Sequence, residues 1–82
     1  MAHLEGFLDY GSGRYKLMGR AGQEDYYFHA GDWLEVWSDR GWVAVQVLAG
    51  LLGRWYFVDG NGLFVTVPLG MRARMVNQWQ AL

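Results

Sequence analysis

Two residue groups in this chain have types and spacing suited to chemistry. The first is the run His29-Ala30-Gly31-Asp32, an imidazole three residues ahead of a carboxylate. A histidine held by an aspartate is the working part of a general base. A base also needs a nucleophile or a second polar partner. Ser12, Ser38 and Thr66 lie in no nucleophile motif, so the expected role of Asp32 or His29 is local bonding to turn backbone. His3 lies in what reads as a frayed end, and two lone histidines at unrelated positions do not make a metal site. Cysteine is absent, which removes thiolate zinc ligation, disulfides and a cysteine nucleophile. The Gly11-Ser12-Gly13 cluster lacks the lysine and following helix of a phosphate-binding loop. No catalytic residue, metal or cofactor is therefore expected.

The second group is aromatic. In Trp33–Ser38 (WLEVWS) the side chains alternate, with Leu34 and Val36 on one face and Trp33, Glu35 and Trp37 on the other. Trp42 joins the tryptophans if the next segment pairs back. Three tryptophans on one side of a hairpin that is aliphatic on the other form a candidate binding face. Glu35 within it is either a solvated strand residue or an anchor for a partner's arginine or lysine. Arg14, Lys16, Arg72 and Arg74 are a candidate basic strip. With aromatics nearby, that combination also suits single-stranded nucleic acid. The net charge of −1 argues against nonspecific grip on a phosphate backbone.

Short strands must position these groups. Glu5–Tyr10 and Arg14–Met18 read as a first hairpin about the Gly11-Ser12-Gly13 turn, with Tyr15 and Leu17 on one face. Gly19–Asp25 is a polar loop and Tyr26–Phe28 a short strand. Trp33–Ser38 and Trp42–Leu48 form a second hairpin. Its register follows from sorting: Trp37 opposite Trp42, Val36 opposite Val43 and Leu34 opposite Val45 leave one wholly aliphatic face, which a one-residue slip would destroy. Ala49–Arg54 is a loop or distorted turn. Trp55–Val58 and Leu63–Val67 flank Asp59-Gly60-Asn61-Gly62, the strongest turn signal in the chain. Met71–Met75 is a last strand, and Asn77–Leu82 frays or makes one helical turn.

The 82 residues, 52% of them hydrophobic, are enough for one domain with one core. The ordered core is expected over about residues 5–76. Twelve glycines and turns about every eight to ten residues favour an all-β domain over βαβ units. The expected architecture is a small, strongly bent antiparallel barrel of six or seven short strands, SH3-like, with an OB-like barrel as the alternative. No segment approaches a membrane span and no signal peptide is evident, so a cytoplasmic protein with no membrane partner is expected.

From Gly6 to Met75 the residues resemble a family of small bacterial domains of unknown function from Gram-positive genomes, found beside plasmid, phage or transposon genes. The resemblance rests on Gly6-Phe7-Leu8-Asp9-Tyr10 with Ser12-Gly13-Arg14-Tyr15, and on His29-Ala30-Gly31-Asp32-Trp33-Leu34-Glu35-Val36. Trp42-Val43, Trp55-Tyr56-Phe57-Val58 and Gly70-Met71-Arg72-Ala73-Arg74 complete it. Ala30 stands where relatives often carry cysteine, and Gln46 or a neighbour where they often carry arginine. The resemblance implies a compact β-domain in a mobile-element context and supplies no activity. The functional expectation is a non-enzymatic protein-binding module, an anti-defence inhibitor such as a CRISPR inhibitor being one instance. The alternative is a small nucleic-acid-binding barrel. A homodimer through the tryptophan face is a further arrangement.

Overall fold

The structure, a computed structural model, describes residues 3–19 and 21–76. The tail assigned to Asn77–Leu82 lies outside them. Eight strands occur in chain order: β1 (His3–Gly11), β2 (Arg14–Gly19), β3 (Tyr26–Tyr27), β4 (Trp33–Ser38), β5 (Gly41–Ala49), β6 (Trp55–Val58), β7 (Phe64–Val65) and β8 (Arg72–Val76). They form one antiparallel sheet of order β3-β2-β1-β8-β4-β5-β6-β7.

The alternating segments fold as their period dictates. β4 pairs with β5 in the expected register, Leu34 opposite Val45, Val36 opposite Val43 and Trp37 opposite Trp42. Gly41, at φ 105, makes the left-handed turn that an L side chain would resist. In β2 Tyr15 and Leu17 face the core, as do Ala73 and Met75 in β8. β1 is longer than Glu5–Tyr10 because its ends find two partners. Its backbone pairs with β2 over Gly6–Gly11 and with β8 over His3–Phe7, so His3 is in a strand rather than a frayed end.

Two differences from expectation have physical causes. β7 has only two paired residues where Leu63–Val67 reads as a strand; Leu63 is tied into the preceding turn and Pro68 brings no N–H. The sheet has eight strands, not six or seven, and is open, with β3 and β7 as its edges. A closed barrel is therefore not what its pairing shows.

The sheet nevertheless bends sharply. β2 and β6 lie five strand steps apart in sheet order, about 24 Å if flat. Yet Tyr15 on β2 packs on Phe57 of β6 with ring centroids 4.6 Å apart, and the Arg14 guanidinium sits 5.3 Å from the Trp55 ring. The inner face thus encloses one core of Leu8, Leu17, Phe28, Leu34, Val36, Val45, Val47, Phe57, Val67, Ala73 and Met75. The segment between β3 and β4 seals it: the Gly31 N–H donates to the Val47 carbonyl at 2.7 Å and the Val47 N–H to the Asp32 carbonyl at 3.0 Å. Val43, assigned to the aliphatic face, is 42% exposed, because it lies beyond the reach of this core near the hairpin turn.

Candidate functional site

Alternation sends the side chains opposite the core outward. On β4 these are Trp33, Glu35 and Trp37, and on β5 Trp42. β8 lies beside β4, with Arg74 opposite Glu35, and beside β1, with Phe7 opposite Arg72. The outer face therefore gathers residues from three distant parts of the chain.

Trp37 is 44% exposed and meets Trp42 edge-on, ring centroids 5.2 Å apart at 68°. A cross-strand aromatic pair of this kind contributes about 0.5–1 kcal/mol. Trp33 and Trp42 are half-buried. The Arg74 guanidinium lies 4.1 Å from the Trp42 ring centre, and that of Arg72 lies 5.3 Å from Trp42 and 5.9 Å from Trp37. Both cations have carboxylate partners. Arg74 Nε donates to Glu35 Oε1 at 2.8 Å, and Arg72 donates to Glu5 Oε2 through Nε at 2.8 Å and Nη2 at 2.6 Å. The four charges sum to zero. They hold the two guanidinium planes against indole faces, where cation–π attraction adds to the ion pairs.

The expected basic strip does not assemble. Arg72 and Arg74 belong to this face. Arg14 instead donates from Nη1 to the Phe28 carbonyl at 3.3 Å and covers Trp55. Lys16 pairs with Asp25 at 3.0 Å and lies 5.4 Å from the Tyr27 ring centre. That hydrogen bond lifts the Lys16 ammonium above its ordinary 10.5 and holds the Asp25 carboxyl below 3.8. The strip fails because Lys16 is held by Asp25 of the β2–β3 loop, while Arg14 is drawn to the Phe28 carbonyl beyond β3 and to Trp55 on β6.

Sequence reasoning missed Glu5, Phe7 and Met18. Phe7 (49% exposed) pairs with Met18 (42% exposed) and extends the apolar part of the face beside Arg72. Glu5 and Arg72 are 67 residues apart, and no local signal links them. The alternation of Glu5, Phe7 and Asp9 in β1 was the available sign, blurred because Phe7 and Leu8 are both apolar.

The His29–Asp32 pair forms a turn brace. Asp32 Oδ2 accepts from the His29 N–H at 2.8 Å and from the Tyr26 hydroxyl at 2.9 Å, while His29 Nδ1 lies 3.3 Å from that hydroxyl. Burial, then the Asp32 hydrogen bond, pushes the Tyr26 phenol from 10.0 up to about 12. Because the folded value is raised, this contribution to stability is complete below pH 10.0 and is lost as pH rises through about 12. In a phenolate titration Tyr26 is expected to ionise well above its ordinary 10.0. Asp32→Ala should lower its pKa only part of the way, since burial is the larger cause.

Among the described residues no group of three or more His, Cys, Asp or Glu side chains is arranged to hold a metal ion, and no helix is long and apolar enough to cross a membrane. Residues 6–75 match the family model of a domain of unknown function, DUF5348. The chain belongs to this family. No curated protein and no solved structure matches it. The matched stretch of this DUF5348 domain runs from Gly6 into Met75 and thus includes Trp33, Glu35, Trp37, Trp42, Arg72 and Arg74, while Glu5, the partner of Arg72, stands one residue outside it.

Proposed function

We propose that this DUF5348 domain is a non-enzymatic protein-binding module that works through the Trp33, Glu35, Trp37, Trp42 face. The observation that carries the reading is the Trp37–Trp42 pair, Trp37 exposed and Trp42 half-buried, braced by Arg72 and Arg74 whose charges Glu5 and Glu35 neutralise. Tryptophan and arginine are the residues most often dominant in protein interfaces. Fixed side chains lose little conformational freedom on binding, so contact area converts more fully into affinity. The proposal extends to a cytoplasmic accessory factor of a mobile element or phage that acts by occupying a host or element protein, with a second copy of the chain as an alternative partner.

Single-stranded nucleic acid is the second reading, because Arg72 and Arg74 do lie beside the tryptophans. Glu35 and Glu5 on the same face weigh against it, since phosphate contact needs surplus positive charge.

A pull-down from bacterial lysate, with and without nuclease, separates the two. Trp37→Ala is expected to reduce capture of a protein partner about tenfold or more. The fold should survive, with a loss of about 1 kcal/mol or less from the aromatic pair. A protein recovered equally in both samples and lost with Trp37→Ala supports the first reading. Nucleic acid released by raised salt supports the second. Unfolding of Trp37→Ala would make Trp37 a structural residue.

A further inference from the structure

The connection between β5 and β6 carries the most exposed large apolar side chains among the described residues, Leu51 at 90% and Leu52 at 95%. Both stand on the short kinked turn Leu51–Gly53. Leu52 has φ 62 and ψ 25, the left-handed region that a bulky L-residue disfavours. Glycine would take that conformation freely and expose no side chain. Strained positions of this kind are retained chiefly where they serve function.

The surroundings indicate what meets this tip. From Ala49 to Phe57 there is no carboxylate, and the one charge is Arg54. Arg54 is exposed, and no group among the described residues pairs with its side chain. Behind the turn come Trp55 and Tyr56, and Tyr56 stacks on the 77%-exposed Phe64 with centroids 5.0 Å apart. Trp55 packs inward against the core under Arg14, which leaves Tyr56; leucines foremost, then the Arg54 cation and an amphipathic tyrosine, match the chemistry from hydrocarbon to headgroups in a bilayer. A protein interface of ordinary size needs about 800 Å² on each partner, more than a three-residue turn offers.

We propose that Leu51, Leu52 and Arg54 form a wedge for reversible contact with an anionic lipid surface. The contact is peripheral, so it revises the expectation of no membrane partner without requiring a span. It lies at the opposite end of β5 from Trp42 and does not depend on the protein-binding reading.

The test is co-sedimentation of the full chain with vesicles of phosphatidylcholine containing phosphatidylglycerol, against phosphatidylcholine alone. The wild type is expected to bind the anionic vesicles more tightly. Leu52→Gly should lower that affinity about tenfold or more. Because glycine tolerates φ 62, the thermal midpoint should not fall. Arg54→Gln should erase the difference between the two vesicles. Absence of wild-type binding, or equal binding by Leu52→Gly, overturns the proposal. So does a wild type that ignores vesicles while Leu52→Gly loses a captured protein, which would make the tip a protein contact.

Discussion

Gly6→Ala is expected to unfold the domain or leave it marginal. Gly6 is buried on the inner side of β1, opposite Gly19 on β2 and Ala73 on β8. A Cβ there would overlap the Met18 carbonyl oxygen and lie 2.8 Å from its carbon and 3.2 Å from Gly19 Cα. These atoms are backbone in a paired strand, so no rotamer change relieves the clash. Overpacking at such a position costs about 3 kcal/mol or more. A chain of this length has about 4–12 kcal/mol in total. Denaturant unfolding followed by circular dichroism measures the loss. Gly60→Ala is the control, because an added Cβ there meets nothing within 4 Å and the backbone is not left-handed. It should be close to neutral. A Gly6→Ala variant as stable as the wild type would show that β1 and β2 do not approach as described.

Phe28→Ala is expected to cost about 3–5 kcal/mol, the range for emptying a buried aromatic site. Phe28 is fully buried and is the largest such side chain in the core. It lies just after β3, outside any strand, yet its backbone is fixed at both ends. Its N–H donates to the Tyr15 carbonyl at 3.0 Å and its carbonyl accepts from Arg14. The Tyr26 ring meets it edge-on at 5.4 Å. Held this way, the segment cannot easily collapse into the vacated volume. Phe28→Leu should lose about 1 kcal/mol. Thermal unfolding of both variants checks the ordering, and equal midpoints for wild type and Phe28→Ala would refute a plugging role.

The β4–β5 hairpin was legible residue by residue, because a half-buried strand writes its two faces into a period of two. Trp37 opposite Trp42 follows from that sorting alone. Asp59 as a turn former was legible too; its Oδ1 accepts from the Asn61 and Leu63 N–H groups at 2.8 and 3.0 Å. What alternation cannot encode is which strands become neighbours. The arginines of β8 meet the tryptophans only because β8 inserts beside β4, and Arg74 finds Glu35 across 39 residues. The same ignorance made Arg14 and Lys16 resemble part of a strip. Phe28 escaped notice as core because one aromatic at the end of a two-residue strand has no period to betray its direction.

The strand order has a consequence for how the molecule is made. β1–β3 form one meander and β4–β7 another, and pairing between the two meanders runs through β8 alone, which joins β1 to β4. During synthesis both halves are complete before their link exists, each showing half an apolar face to the cell. A chain emerging at about 5–20 residues per second spends about 0.5–2 s in that divided condition while the chain from Val65 to Val76 is made. The seam closes when β8, the last of the eight strands to leave the ribosome, docks between two preformed edges. That late step brings Arg72 and Arg74 to the tryptophans, so the paired outer face is assembled only in a chain that has finished folding.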